Sequence, residues 1–104
     1  MNRVTVELWL WLGNELKGEF SSLSEMRSVR EEVIEEGTSI GDLLHSLGNR
    51  CLPIRQHVFD TLRKKLDPNV FLIYNDQVLP ADMVLQRVLK GGDKITIMPL
   101  YTGG

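Results

Sequence analysis

Between residues 3 and 12 the chain alternates. Val4, Val6, Leu8, Leu10 and Leu12 fall on one side; Thr5, Glu7, Trp9 and Trp11 fall on the other. A period of two carried by β-branched and aromatic residues predicts a half-buried strand. Gly13-Asn14 breaks it, and the polar, serine-rich stretch 14–27 reads as a long loop. Residues 28–36, SVREEVIEE, predict a second strand with weaker alternation, ended by Gly37.

The period then changes. In TSIGDLLHSLG, Ile40, Leu43, Leu44 and Leu47 repeat at i, i+3, i+4 and i+7, one face of a helix. Ser39 is placed to cap it, and Asp42, three residues on, to reach back to the cap amide. Gly48 is the expected C-terminal stop. A second helical spacing, Ile54, Val58, Phe59, Leu62 and Leu66, covers 54–66 and ends at Asp67-Pro68. Residues 70–80, VFLIYNDQVLP, read as strand, Asn75-Asp76 turn and short strand, because Asn and Asp tolerate the left-handed angles a tight hairpin needs. Residues 84–90 predict a short helical turn and Gly91-Gly92-Asp93 a tight one. The last strand is 94–98, KITIM, with Ile95 and Ile97 on one face and Thr96 and Met98 on the other. Pro99 ends its ladder, having no N–H to donate. A helix with one apolar stripe packs on a sheet, so the expected class is α+β, one sheet with helix on one face.

Composition narrows the function. The chain has 104 residues, one domain by length and enough for a core without staples. Its net charge of −2 gives no broad electrostatic footprint for nucleic acid, and Arg63-Lys64-Lys65 reads as a solvated face of the second helix. The single cysteine, Cys51, rules out an internal disulfide framework and a four-thiolate zinc or iron–sulfur centre within one chain, which fits a reducing compartment. Glu7 interrupts the apolar N-terminal run, and no small-residue cleavage site follows it, so a signal peptide is not expected. No stretch approaches the ~20 apolar residues of a membrane span. The expected location is cytoplasmic, with neither membrane nor nucleic acid as partner. No Cys, His or carboxylate cluster has metal-ligand spacing. His45 and His57 read as ordinary surface or boundary residues, and Cys51 as a packing thiol. Gly91-Gly92 lacks the lysine of a phosphate-binding loop.

Four stretches carry a family resemblance: the strand from residue 3, EEGTSIGDLLHSL, IYNDQV, and VLKGGDKITIMPLYTGG. In that order, over nearly the whole chain, they resemble the ubiquitin-like β-grasp sulfur carriers, the small subunit of molybdopterin synthase and the thiamine-pathway sulfur carrier. The shared pattern is a Gly-Thr-Ser-hydrophobic turn into a Leu-Leu helix, an Asn at a hairpin, a Gly-Asp turn, a final strand, a Pro and a Gly-Gly end. Each motif is weak alone; their order is more specific. Two features depart from the family: Asn75-Asp76 stands where Asn-Gly is frequent, and 49–68 is longer than in the shortest members.

The resemblance implies a ubiquitin-like β-grasp, a mixed sheet of four to five strands with one main helix packed on one face. It implies a domain over 1–98 and a flexible tail over 99–104. The tail, Pro99, Leu100, Tyr101, Thr102, Gly103 and Gly104, would carry the reaction. The Gly104 carboxylate would be adenylated with ATP by a partner activating enzyme and converted to a thiocarboxylate, the chain itself being a carrier with no bound cofactor. The sulfur would pass to the large subunit of a molybdopterin synthase or an equivalent acceptor. Val78 and Met98 would lie on the partner surface by their position in the family pattern. Trp9 and Trp11, opposite the Val/Leu row of the first strand, either extend that surface or are covered by the 14–27 loop as a second small core. The same tail would equally serve a thiamine-pathway carrier, a ubiquitin-like modifier joined to lysines, or a binding module that makes no use of it.

Overall fold

The computed structural model describes residues 2–10, 16, 20–24 and 26–100. Its first strand, β1 (Asn2–Leu8), lies between two others and buries Val4, Val6 and Leu8 on one face, as the alternation requires. β2 (Ser21–Ser22) is a two-residue edge piece on β3 (Ser28–Ile34), which pairs antiparallel with β1. Helices α1 (Ile40–Arg50) and α2 (Leu52–His57) follow, then a separate hairpin of β4 (Phe59–Asp60) and β5 (Lys65–Leu66). β6 (Val70–Tyr74) and β7 (Gln77–Val78) form a second hairpin, and α3 (Ala81–Val84) leads to β8 (Lys94–Pro99).

The main sheet has six strands in the order β2-β3-β1-β8-β6-β7. The two long central strands, β1 and β8, run parallel, with Val6 beside Ile95 and Leu8 beside Ile97. This is the expected α+β β-grasp; the strands beyond the expected four or five are the two-residue β2 and β7 at the edges. The core lies between the sheet and α1. Ile40, Leu43, Leu44 and Leu47 of the predicted stripe are all buried against Val4, Val6, Leu8, Leu72, Ile95 and Ile97. Each such side chain contributes about 1.5–3 kcal/mol on leaving water.

The Ser39 cap forms as expected. Its hydroxyl accepts from the Asp42 amide and the Asp42 carboxylate accepts from the Ser39 amide. Gly48 is not the stop. It is buried inside α1 where the β4–β5 hairpin crosses, and a Cβ there would stand 2.7 Å from Thr61 Cγ2. The helix ends at Arg50 because Cys51 is extended and Pro53 starts the next helix.

The helix expected over 54–66 is the larger correction. α2 stops at His57, and the chain turns back as β4–β5. Asp60 Oδ1 accepts from the Leu62 and Arg63 amides, and Lys64 takes a φ of 56°, so the local bonds build a turn in place of a helix. Arg63-Lys64-Lys65 therefore occupies a hairpin, not a helix face. β1 also ends earlier than residue 12, since Leu8 lies opposite Ser28, the first residue of β3. β3 ends at Ile34, opposite Asn2, and Thr38 folds back onto the Glu35 carbonyl. The 14–27 stretch is more than a polar loop: it supplies β2, and Leu16 and Phe20 are buried in the main core. The short helix α3 begins at Ala81, ahead of the expected 84–90. Pro99 is the last residue of β8, and the Leu100 amide continues the pattern by donating to Asn69 O at 2.8 Å.

Candidate functional site

The face of the sheet away from α1 is built by register. Met98 lies opposite Phe71, and Ile73 stands between Thr96 and Val78 on its two neighbours. Their side chains share one face because each is an even step from the next along its strand. Val78 is 65% exposed, while Met98, Phe71 and Ile73 are half-buried. Met98 on β8 and Val78 on the edge strand β7 thus lie on one face, an apolar band with Phe71 and Ile73 of β6 between them. Pro99 is half-buried and Leu100 exposed where the described chain stops. Trp11, Tyr101, Thr102, Gly103 and Gly104 lie outside the described residues.

Trp9 joins the same face. Its amide donates to Ile97 O at 2.9 Å, and its indole Nε1 donates to a Glu7 carboxylate oxygen. The Arg27 guanidinium lies 4.4 Å from the Trp9 ring centroid, a cation–π distance. Residue 27 covers one side of the ring, and the rest stays half-exposed beside the band.

Glu7 organises the neighbouring surface. It is only 4% exposed, an unusual place for a carboxylate. Arg27 Nη2 lies 3.2 and 3.3 Å from its two oxygens, and Lys94 Nζ lies 3.5 Å away. The sequence reading treated Glu7 only as an interruption of an apolar run. The available signal was its position in the alternation, between Val6 and Leu8; its cations, Arg27 ahead of β3 and Lys94 at the start of β8, are far away in sequence.

A second polar cluster closes the opposite end of β8. Asp93, 7% exposed, accepts from Tyr74 Oη at 2.6 Å, Asn75 Nδ2 at 2.9 Å and the Lys90 amide at 2.8 Å. Asn75 Oδ1 in turn accepts from the Lys94 amide at 2.8 Å. Burial alone would raise the Asp93 carboxyl; the bonds from Tyr74, Asn75 and Lys90 outweigh it and hold the group below the ordinary carboxylate range. The hydrogen bond to Asp93 raises the Tyr74 phenol. Asn75 and Asp76 have φ of 47° and 71°, the left-handed pair expected for this hairpin. The network fixes where β8 starts, and so where its far end delivers the tail.

The remaining candidates do not converge on this face. His45 packs edge-on to Phe59, His57 is exposed on α2, and Cys51 is buried where α1 ends. Among the described residues no three His, Cys, Asp or Glu side chains are grouped to hold a metal ion. No described helix is long and apolar enough to cross a membrane. The described chain ends at Leu100, beside this surface.

A model of the ThiS family matches residues 14–104. Compared by sequence with curated proteins, the chain finds no significant match. In fold it is similar to small archaeal modifier protein 1 of H. volcanii, with a TM-score of 0.70 at 14% identity over 97% of this chain and 100% of that one. It is similar to a putative molybdopterin converting factor, subunit 1, of Pyrococcus furiosus, with a TM-score of 0.67 at 17% identity over 97% and 100%. A chain of the Amycolatopsis orientalis BexX/CysO complex gives a TM-score of 0.65 at 23% identity over 97% and 99%.

Proposed function

Because the chain belongs to the ThiS family of ubiquitin-like sulfur carriers, we propose that it carries sulfur on the carboxylate of Gly104 and is a carrier, not a catalyst. The observation behind this reading is the family match over 14–104, which takes in Gly103-Gly104. A carboxylate anion resists nucleophilic attack. A separate activating enzyme joins it to the AMP moiety of ATP and releases pyrophosphate, giving a mixed anhydride. A sulfur nucleophile then attacks the acyl carbon, AMP departs with one oxygen, and a thiocarboxylate remains. The carrier needs to present that carbon and nothing more, so it binds no cofactor itself.

The geometry suits such a task. The five residues that follow β8, Leu100 to Gly104, reach about 17 Å when extended. Gly103 and Gly104 have no Cβ, so they pass a narrow channel and leave the carbonyl open. The apolar band of Met98, Phe71, Ile73 and Val78, with Trp9 beside it, is the surface an activating enzyme and a sulfur acceptor would grip in turn. We assign the acceptor to molybdopterin synthesis in the cytoplasm, as the large subunit of a synthase. The likeness to the Pyrococcus furiosus protein favours this over a thiamine-pathway acceptor. The likeness to a modifier protein supports a second reading, conjugation through the same carboxylate to lysines.

Intact mass spectrometry after incubation with the cognate activating enzyme, ATP and a sulfur donor tests the reading. Exchange of one oxygen for sulfur at Gly104 is expected. Gly104→Ala should slow adenylation by about 10²-fold, the scale of an ångström misplacement of a reacting atom, and one residue added after Gly104 should abolish it. An extended tail that reacts like the native one would remove the carboxylate from the mechanism. Higher-mass lysine conjugates, without sulfur exchange, would assign the chain to the modifiers.

A further inference from the structure

A groove of about 410 Å³ opens beside the point where the described chain stops, between α2 and the ends of β1, β6 and β8. Leu10, Val70 and Pro99 form its apolar wall; Gln56, His57 and Asp67 form a polar rim. The wall belongs to the core: Val70 is 8% exposed, and Leu10 packs on the same cluster. The rim is fixed as well. The Asp67 amide donates to Val58 O at 2.7 Å, and Asp67 Oδ1 accepts from the Asn69 amide at 2.8 Å. An apolar wall with a polar rim suits an amphipathic ring, which has an apolar body and a hydrogen-bonding tip.

The chain supplies such a ring one residue further on. The Leu100 amide donates to Asn69 O at 2.8 Å, so the extended pairing of β8 on the β6 side runs on through Leu100. Successive side chains of an extended chain point to opposite faces. Ile95, Ile97 and Pro99 take the core side, opposite Tyr74, Leu72 and Val70. Met98 takes the other, and Leu100, 50% exposed, follows it. The next core-side position is residue 101, a tyrosine, two residues past Pro99, which is itself a wall of the groove. The residues after it, Thr102, Gly103 and Gly104, carry nothing that would fill an apolar groove.

We infer that this groove is the seat of the Tyr101 ring and that a seated tail withholds the terminal carboxylate. With Tyr101 seated, only Thr102, Gly103 and Gly104 remain beyond it, a reach of about 10 Å against about 17 Å for the free tail. The seat itself does not depend on what Gly104 carries; the withholding rests on the sulfur-carrier reading. An enzyme that takes the carboxylate into its own site has to draw Tyr101 out first. The tail is then offered only by the fraction of molecules whose seat is empty.

Nuclear magnetic resonance of the labelled full chain tests the seat. Nuclear Overhauser contacts are expected between the Tyr101 ring and the methyl groups of Leu10 and Val70. Tyr101→Ala should shift the amides of Gln56, His57 and Asn69 and leave those of Asp93 and Lys94, at the other end of β8, in place. Gln56→Trp, at an exposed position of α2, puts a competing ring into the groove from the opposite wall without touching the core, and should abolish the Tyr101 contacts. That variant keeps the native tail. It should raise kcat/KM for adenylation by the activating enzyme about three- to tenfold, the reciprocal of the fraction of tails free of the seat. Missing ring–methyl contacts in the wild type, or groove amides unmoved by Tyr101→Ala, would overturn the seat. Shifts at Gln56 and His57 that arise only on adding the activating enzyme, and persist in Tyr101→Ala, would overturn it too and give the groove to a partner side chain. Tyr101 contacts abolished by Gln56→Trp with no gain in adenylation would overturn the withholding. A wild type that seats Tyr101 yet is never adenylated would support the seat and count against the sulfur-carrier reading alone.

Discussion

Two buried carboxylates sit on one sheet, and they are held in opposite ways. Asp93 is gripped by neutral donors fixed in the fold: a phenol, a side-chain amide and a backbone amide. Glu7 is gripped by two cations on long side chains, Arg27 at 38% and Lys94 at 47% exposure, and by an indole. Neutral short-range donors define a geometry, and losing the acceptor strands them. Partly exposed cations can be exchanged for those of a partner at little cost, because water screens the pair. The Asp93 end is therefore a lock on the start of β8, and the Glu7 end is an adaptable part of the sheet face.

The largest effect should come from breaking the lock. Asp93→Ala leaves the Tyr74 hydroxyl, the Asn75 amide and the Lys90 N–H without their acceptor, and should cost about 2–4 kcal/mol in urea unfolding. Glu7→Gln keeps the shape and one acceptor oxygen and should cost about 1 kcal/mol. Equal costs would remove the distinction. The pH dependence sharpens it. The folded Asp93 pKa lies below its unfolded value, so the group's contribution is complete above the unfolded pKa of about 3.9 and is lost as pH falls from there through the folded value. Asp93→Asn should flatten that acid limb. Tyr74 acts in the reverse sense: its raised pKa gives a contribution present below pH of about 10 and lost as pH rises through the folded value.

The lock was partly legible in the sequence, and the Glu7 cluster was not. Asn75-Asp76 marked the hairpin because few residues accept its backbone angles, and Gly91-Gly92-Asp93 marked the turn that carries the acceptor. Ser39 and Asp42 named their own bonds for the same reason: capping is local, so three residues of sequence contain it. Glu7, Arg27 and Lys94 are distant in sequence; the register of β1 on β8 brings Lys94 to Glu7, and that of β1 on β3 brings Arg27. The 54–66 error has the same root. Ile54, Val58 and Phe59 are buried as the helical spacing predicts, but Leu62 is almost wholly exposed. Periodicity over a short apolar run does not separate a helix from a hairpin, and Asp60 decides the matter by bonding its own neighbours. Leu16 and Phe20 escaped notice because isolated apolar residues in a polar stretch have no period. The Gly-Gly tail was read from its family pattern, not from any physics of the fold.

A middle-sized effect should come from Arg27→Ala. It removes the cation over Trp9 and a partner of Glu7, and should cost about 1 kcal/mol. Its main signature should be optical. In a Trp11→Phe background, the remaining tryptophan should shift its emission to the red and become more open to iodide quenching. An unchanged spectrum would mean that Arg27 does not cover the ring, and Trp9 would then belong wholly to the exposed band.

Lys94 separates the two clusters within one residue. Its amide belongs to the lock, through Asn75 Oδ1, while its ammonium belongs to the Glu7 cluster. Lys94→Met keeps the amide and the aliphatic stem and deletes only the charge. A half-exposed ion pair of this kind contributes about 0.5 kcal/mol or less, so the variant should unfold almost as the native chain does. The small difference should vanish in 1 M salt, where wild type and variant are equally screened, whereas the deficit of Asp93→Ala should persist because its donors are neutral. A Lys94→Met deficit that survives high salt would tie the ammonium to the lock, and the division of the sheet into a fixed end and an adaptable end would fail at the residue that joins them.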